Sequence, residues 1–318
     1  GMGFVMGSAS ATVTYVGSSS SFAGVLSVSS GTFPGGLDIT FTDDNGGDKT
    51  TLTCGSVTFG GLTVNKDSGG DMTPGSNCTV TGNVTSSNGT VNNPSSAYTL
   101  TVQGNFTQNS AGTFGGGNLT LSLEGTSTST INKTAGTFSS KLNINKGSSG
   151  VAILATALST SGQTCTVASG TFDTNGLGFT CGSTFSVLNG GTYRLVGSES
   201  STAPTLAGLS TVYYKGDGDG LADTFGIHNY AFSLLVVSMV DSIDTLTAAT
   251  TTVNALGFSL GKGTFIAPTS TMSIAGTFGV TGGTFNNSSG TVVLNGGNQT
   301  INSNATTTFW NFTKSQLP

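Results

Sequence analysis

Three aspartates in one short segment are the residues whose type and spacing best suit chemistry. The segment reads Asp217-Gly-Asp219-Gly220-Leu-Ala-Asp223. Aspartates at alternate positions, a glycine that allows a tight turn and a further aspartate direct several carboxylate oxygens into one small volume, as the hard cation Ca²⁺ requires. The sequence therefore predicts either a calcium loop at Asp217, Asp219 and Asp223 or an ordinary Asp/Gly turn, and we expect no other cofactor.

This segment resembles the calcium loops of thrombospondin-type and dockerin repeats. The position that would carry the first aspartate of that pattern is Lys215. A lysine there removes one ligand and adds a positive charge that repels a cation. We expect this departure to weaken a calcium site.

The rest of the chain offers no catalytic set. It has one histidine, His228, and one arginine, Arg194. The β-helix hydrolases need clustered aspartates beside a histidine and a basic residue, a lyase needs a basic group beside calcium, and a serine nucleophile needs a base. We predict that the chain is not an enzyme and that His228 is a turn residue. A polysaccharide-degrading β-helix enzyme and an ice-binding protein remain the weaker alternatives.

Composition indicates a folded β protein that is rich in turns. The 318 residues include 50 glycines and 19 phenylalanines, and only 7% of the residues are charged. Disordered chains usually combine high charge with few aromatic and β-branched residues, which is the opposite pattern. The formal net charge is −5, with no basic stripe that could neutralise phosphates, so we expect no nucleic-acid partner.

The four cysteines predict two disulfides. The interval from Cys54 to Cys78 and that from Cys165 to Cys181 are both close to one turn of a repeat structure. We predict the pairs Cys54–Cys78 and Cys165–Cys181, with four reduced thiols as the alternative. Disulfides indicate an oxidising environment, so we expect a secreted protein at the cell surface. No apolar run of about 18 residues is present, which excludes a membrane-spanning segment of that type.

An internal repeat predicts the architecture. A phrase that begins with an aromatic residue and continues into an alternating strand recurs at Phe59, Phe138, Phe232 and Phe309, with the longest interval in the middle. A recurrence at such intervals predicts three modules of about 77–94 residues after a partial one. Their approximate boundaries are 17–59, 60–138, 139–232 and 233–309, with the start of a next phrase at 309–318. Residues 17–318 would then form a single continuous solenoid.

The strands inside these modules are short and alternate apolar with polar residues, as in Leu119-Thr-Leu-Ser-Leu123. The triplet Gly-Thr-Phe recurs along the chain, and we expect its glycine to make a turn, its threonine to face outward and its phenylalanine to enter the core. Such a pattern predicts an all-β fold, a parallel β-helix or β-solenoid with roughly 20 residues in each turn. The alternative is a series of tandem β-sandwich domains.

The phrase Gly290-Thr-Val-Val-Leu-Asn-Gly-Gly-Asn-Gln-Thr-Ile-Asn302, which continues into Thr308-Phe-Trp-Asn-Phe-Thr313, resembles the β-strand repeats of large bacterial and archaeal surface and adhesin-like proteins. The resemblance covers most of the chain, but its motifs are dominated by Gly, Thr and Asn. It implies a β-helical extracellular shaft that serves in adhesion, stalks or fibres, and it carries no catalytic residues.

The N-terminal segment, residues 1–16, is predicted to take part in self-assembly. We expect it to be the processed end of a longer precursor and to act as a donor strand that completes a neighbouring copy, which gives a filament of subunits joined head to tail. The alternative is a monomeric adhesin shaft that binds carbohydrate or a surface, for which Tyr213, Tyr214 and Tyr230 are candidate platform residues. The apolar residues assigned to self-assembly are Met2, Phe4, Val5, Met6, Val13, Tyr15 and Val16.

Overall fold

Short parallel strands account for the fold of this chain in a computed structural model. The structure describes residues 13–17, 24–27, 37–43, 49–55, 57–67, 69–248, 252–304 and 306–315. No helix occurs among them, and so none that is long and apolar enough to cross a membrane. The residues cluster in two units, unit 1 with residues 1–166 and 180–184 and unit 2 with residues 167–179 and 185–318. The module boundaries drawn from the repeats stay a prediction.

The strands are short because turn residues interrupt them frequently. They are β1 (Val13–Gly17), β2 (Gly24–Ser27), β3 (Leu37–Asp43), β4 (Lys49–Thr53), β5 (Thr58–Asn65), β6 (Asp71–Pro74), β7 (Cys78–Val80), β8 (Val84–Asn88), β9 (Thr90–Val91), β10 (Tyr98–Val102), β11 (Phe106–Gln108), β12 (Thr113–Phe114), β13 (Leu119–Glu124), β14 (Ser129–Lys133), β15 (Thr137–Phe138), β16 (Lys141–Asn145), β17 (Val151–Leu154) and β18 (Leu158–Thr160). They continue with β19 (Cys165–Asp173), β20 (Phe179–Cys181), β21 (Phe185–Val187), β22 (Gly191–Leu195), β23 (Thr205–Leu206), β24 (Thr211–Tyr214), β25 (Thr224–Gly226), β26 (Ala231–Ser238), β27 (Thr245–Thr247), β28 (Val253–Lys262), β29 (Thr264–Ile266), β30 (Thr271–Ile274), β31 (Phe278–Val280), β32 (Thr284–Asn286), β33 (Thr291–Leu294), β34 (Ile301–Ser303) and β35 (Asn311–Lys314).

Unit 1 is a three-sided parallel β-solenoid. Strands β10, β11 and β12 form the three sides of one turn, and β13, β14 and β15 stack on them in parallel in the next turn. Hydrogen bonds between equivalent positions of successive turns give the length of a turn. The amide of Asn143 donates to the Ser122 hydroxyl, 21 residues earlier, and the backbone N–H of Thr130 donates to the Asn105 side chain, 25 residues earlier. The predicted fold class is therefore confirmed, and the β-sandwich alternative is wrong.

The core of unit 1 is built from ladders of identical or similar side chains. Leu100, Leu121 and Leu142 follow one another in register on β10, β13 and β16, and each is at most 3% exposed. Alternate residues of each strand face this core because successive side chains of a strand point to opposite sides. The in-register stacking keeps that alternation from turn to turn, so that leucines pack above leucines on the core side.

The Gly-Thr-Phe triplets behave as the sequence predicts. Phe114 and Phe138 stack with ring centroids 5.7 Å apart and an interplanar angle of 7°, and both are buried. Gly136 begins its triplet with φ +67°, a left-handed conformation that favours glycine. Removal of a phenylalanine ring from such a stack costs about 3–5 kcal/mol.

Unit 2 is also a parallel β-solenoid. One face contains the ladder Tyr193, Val212, Leu235 and Phe258, which pair successively on β22, β24, β26 and β28. A second face stacks β25, β27, β29 and β32, where Thr224 pairs with Thr245. This second face positions the acidic segment predicted from the sequence, because that segment lies directly before β25.

The cysteines pair as predicted. Disulfides join Cys54 to Cys78 and Cys165 to Cys181, with Cα–Cα distances of 5.3 and 6.1 Å. Both bonds lie within unit 1. Two disulfides are consistent with an oxidising environment and indicate that the chain is exposed to one.

Candidate metal centre

The acidic loop is the segment 217–223, which lies between β24 and β25 in unit 2. The backbone has three left-handed residues here, one directly before the loop and two within it, and only glycine adopts this conformation at low cost. Asp219 accepts a hydrogen bond at Oδ1 from the backbone N–H of Leu221, 2.8 Å away, which fixes the carboxylate beside the turn. The left-handed residues are Gly216, Gly218 and Gly220, with φ of +68°, +78° and +84°.

Two further aspartates reach the same place from the next turn of the solenoid. Asp241 and Asp244 lie between β26 and β27. The backbone N–H of Gly220 donates to Oδ2 of Asp241 over 2.9 Å, and that of Asp223 donates to Oδ1 of Asp244 over 3.2 Å. Each of these bonds joins residues 21 positions apart. The parallel stacking of β27 on β25 therefore brings two acidic segments together.

The carboxylates form two groups of three that share Asp217. In the first, oxygens of Asp217, Asp223 and Asp244 lie within 4.8 Å of one another, and in the second those of Asp217, Asp219 and Asp241 do the same. We call the five residues together the acidic cluster. The first group is the more enclosed, because Asp244 is buried and Asp223 is half-buried, whereas Asp217 and Asp219 are exposed.

Asp244 is the unusual member of the acidic cluster. It is 0% exposed, and its Oδ2 has no hydrogen-bond partner among the described residues. A Cβ atom at Gly216 would lie 2.5 Å from that oxygen, so glycine is required there. Burial raises the pKa of the Asp244 carboxyl, and the negative charges of Asp217, Asp241 and Asp223 raise it further.

Asp223 is subject to the same repulsion. Desolvation raises the pKa of its carboxyl, and Asp219, Asp217 and Asp241 add to the effect. When a cation binds beside such a carboxyl group, it offsets the repulsion from the neighbouring negative charges. The ionised form is then stabilised more than that of an isolated carboxylate would be.

Lys215 does not act on the acidic cluster as the sequence suggested. Its Nζ lies 3.0 Å from Oδ2 of Asp173 and 3.2 Å from Oδ1 of Asn175. The same Asp173 oxygen also contacts Arg194 at 2.8 Å. The lysine is therefore held by another carboxylate, and Asp244 from the next turn adds a carboxylate that the loop itself lacks.

His228 is a structural residue of unit 2. Its backbone N–H donates to the Tyr214 hydroxyl over 2.9 Å, and its Nε2 lies 2.9 Å from the Glu199 carbonyl oxygen. Because a carbonyl oxygen only accepts, Nε2 carries the proton and Nδ1, 3.1 Å from the Tyr214 hydroxyl, accepts from it. His228 thus joins neighbouring segments, and its predicted role in a turn stays a prediction.

The tyrosines considered as an adhesive platform are largely internal. Tyr214 is 0% exposed and Tyr230 is 7% exposed, and both stack against His228. Tyr213 is half-buried and donates its hydroxyl hydrogen to the Ser238 carbonyl oxygen over 3.1 Å. These contacts assign the tyrosines to packing.

The segment predicted to assist self-assembly is described only in part. Met2, Phe4, Val5 and Met6 lie outside the described residues. Val13, Tyr15 and Val16 belong to β1, which pairs in parallel with β3 of the same chain. The donor-strand role stays a prediction.

The chain was compared with models of protein families, with curated proteins and with solved structures, and no match was found in any of the three comparisons.

Proposed function

We propose that this chain is an extracellular structural protein whose solenoid serves as a shaft, and that copies of it join end to end into a filament. The observation that carries the proposal is the exposed edge formed by β34 and β35. Among the described residues, β34 pairs only with β31 and β35 only with β33. An unpaired strand edge presents a row of backbone donors and acceptors that another strand can satisfy.

The side chains at this edge support an association. Three large apolar residues are exposed there, namely Ile301 at 46%, Trp310 at 67% and Phe312 at 43%. Phe312 extends the aromatic contacts of the core, because its ring centroid lies 5.1 Å from that of Phe309. A further turn stacked on this edge would bury these rings, in the way that each turn of the solenoid buries the one before it.

A second copy of the chain is the occupant that we assign to this edge. In the described residues β1 and β2 also pair on one side only, with β3 and β4. A copy can therefore offer a free parallel edge of its own to the β34 and β35 edge of another. Because the two surfaces differ, such a contact is head to tail and leaves a free edge at each end of the pair, to which further copies can add to form a filament.

The disulfides and the stacked core support an extracellular structural role. The two disulfides close loops of 24 and 16 residues. A disulfide that closes such a loop restricts the unfolded chain and so stabilises the folded protein, and it persists in the oxidising environment outside the cell.

The assembly can be tested by sedimentation velocity and negative-stain electron microscopy of the purified chain over a range of concentrations. We expect filaments of the unchanged chain. The double variant Trp310→Lys, Phe312→Lys should raise the concentration needed for assembly at least about tenfold, because lysine at an edge disfavours strand addition.

Leu209→Lys is the matched control, since Leu209 is 76% exposed and lies outside β34 and β35. It should assemble as the unchanged chain does. A chain that remains monomeric at high concentration would overturn the proposal. Filaments that survive deletion of residues 1–16 would overturn the donor-strand version alone.

A further inference from the structure

We propose that the acidic cluster binds one Ca²⁺ ion between Asp217, Asp223 and Asp244, and that the ion ties two successive turns of unit 2 together. This metal site is independent of filament assembly.

The donor set defines the class of cation. The first group supplies only carboxylate oxygens, and no histidine or cysteine belongs to either group, which disfavours Zn²⁺ and other metals that prefer nitrogen or sulfur. Ca²⁺ binds oxygen at about 2.3–2.6 Å, so two of its ligands lie at most about 5 Å apart. Oxygens within 4.8 Å of one another meet this condition. Mg²⁺ needs shorter bonds and a regular octahedron, which an irregular loop with two left-handed glycines is poorly suited to provide.

The buried oxygen of Asp244 indicates a ligand independently of the clustering. Buried polar atoms in proteins nearly always have a partner, and a buried carboxylate without one is strongly disfavoured. Oδ1 of Asp244 is satisfied by the Asp223 N–H, whereas Oδ2 has no hydrogen-bond partner among the described residues, and a carboxylate oxygen of Asp244 belongs to the group with Asp217 and Asp223. A cation bound there supplies the missing contact.

A comparison within unit 2 strengthens this assignment. Asp173 is as completely buried as Asp244, but it is balanced by Arg194 and Lys215 at 2.8 and 3.0 Å. In the part of the chain that the structure describes, no lysine or arginine forms a salt bridge with the acidic cluster. One buried carboxylate thus has protein cations as partners, whereas the charged groups that act on the other are further carboxylates.

Asp219 and Asp241 have a supporting role. Each already accepts a backbone hydrogen bond with one oxygen, and they share Asp217 with the calcium ligands. Their negative charges attract the ion to the site. Their loss should therefore weaken binding without abolishing it.

The ion would connect segments that are distant in sequence but adjacent in the solenoid. Asp217 and Asp223 belong to one turn, and Asp244 belongs to the next. The hydrogen bond from the Asp223 backbone N–H to the Asp244 carboxylate is long, at 3.2 Å. Bound Ca²⁺ adds a stronger connection to the hydrogen bonds that already join these turns.

Isothermal titration calorimetry of the metal-stripped chain with CaCl₂ tests the site. We expect a single ion to bind with a Kd of about 10⁻⁴–10⁻³ M, the range of extracellular calcium modules. Ca²⁺ at about ten times the Kd should raise the midpoint of thermal unfolding by about 3 °C. Titration with MgCl₂ should give binding at least about tenfold weaker.

Asp244→Asn is the decisive variant, since it keeps an acceptor for the Asp223 N–H and removes the charge. It should lose both the heat of binding and the thermal shift. Asp223→Asn serves as a second test if Asp244→Asn does not fold, as judged by circular dichroism. Asp38→Asn changes an exposed aspartate in unit 1 and should bind Ca²⁺ as the unchanged chain does.

Three results would overturn the proposal. They are the absence of binding heat at millimolar Ca²⁺, full binding by folded Asp244→Asn, and equal affinity for Mg²⁺. Because filament formation is measured separately, its failure leaves this test unaffected.

Discussion

The two units of the molecule share one fold but are stabilised by different means. Both units have a core of packed aromatic rings, but unit 1 contains both disulfides and unit 2 contains no cysteine. Unit 2 instead carries buried acidic groups, among them Asp173, Glu199 and Asp244. The difference teaches that a solenoid turn can be fastened to its neighbour either by covalent bonds or by charged and hydrogen-bonding groups.

Glu199 illustrates the second means. Its Oε1 accepts the Val196 N–H over 2.9 Å and the Thr174 hydroxyl over 2.5 Å, and its Oε2 accepts the Gly197 N–H over 2.6 Å. Hydrogen bonds to a carboxylate are stronger than those between neutral groups. A single side chain in unit 2 therefore performs the joining that a disulfide performs in unit 1.

The disulfides provide the largest test of this difference. Replacing each cystine by two alanines, Cys54→Ala with Cys78→Ala and Cys165→Ala with Cys181→Ala, should lower the free energy of unfolding of unit 1 by about 3 kcal/mol for each bond. Hydrogen exchange followed by mass spectrometry should show lost protection in peptides of unit 1 only. Equal loss of protection in unit 2 would show that the two units are not stabilised separately.

The buried ion pairs of unit 2 provide the next test. Asp173→Ala should lower the free energy of unfolding by about 2–3 kcal/mol, because Arg194 and Lys215 then lose a shared buried acceptor. Urea unfolding measures the change. Asp38→Ala, at an exposed position, should change it by less than about 0.5 kcal/mol, and a comparable loss there would remove the special role of Asp173.

The smallest expected effect is the change in the free energy of unfolding at alkaline pH. This change has opposite signs in the two units. Burial raises the pKa of Tyr193 and Tyr214 well above 10.0. Above pH 10 the unfolded chain therefore loses protons that the folded chain keeps, and the free energy of unfolding of unit 2 falls as the pH rises. Burial lowers the pKa of Lys146 from 10.5, so the unfolded chain binds more protons just below that pH and the free energy of unfolding of unit 1 rises as the pH approaches 10.5.

Urea unfolding between about pH 9 and pH 11, a range that brackets the ordinary pKa values of tyrosine and lysine at about 10 and 10.4, measures both effects. Tyr193→Phe should reduce the fall in the free energy of unfolding of unit 2 above pH 10. Lys146→Met should remove the rise in the free energy of unfolding of unit 1 below pH 10.5. The same slope with pH in Lys146→Met as in the unchanged chain would contradict the assignment to that lysine.

The sequence predicts the fold of both units well because a solenoid repeats its local pattern. The alternation of apolar residues, the Gly-Thr-Phe triplets and the cysteine spacings near one turn are all local signals. Each turn buries its phenylalanines in the same way, so one correctly interpreted strand predicts its neighbours. The burial of Phe114 and Phe138 and both disulfides follow from these signals.

The candidate metal centre is only half predictable, since Asp241 and Asp244 were not identified from the sequence. They lie one turn after the acidic loop, and Asp244 is 21 residues beyond Asp223. Adding one turn length to each loop aspartate would have found them. The register could not be fixed in advance, because the turn length varies, from 19 residues between Thr73 and Asn92 to 26 residues between Val13 and Ile39.

The partners of the buried charged side chains could not be predicted from the sequence either. Lys215 reaches Asp173 across 42 residues, which is two turns. Lys146 follows a strand in the repeated phrase and donates to the Glu124 carbonyl oxygen over 2.5 Å and to the Ser129 hydroxyl over 2.8 Å. In a sequence, a charged residue beside a glycine normally indicates an exposed turn. The side chain of Lys146 is buried because the three-sided turns stack on one another around it.

The leucine ladder of unit 1 has a consequence for how such a chain can change in length. Leu100, Leu121 and Leu142 are equally spaced along the chain and pair in register, so gain or loss of one whole turn leaves every remaining leucine above another leucine. Gain or loss of a single residue within a strand instead exchanges its inner and outer faces. Changes in the gene of this protein are therefore tolerated in steps of a turn, which makes length a property that can vary while the core stays the same.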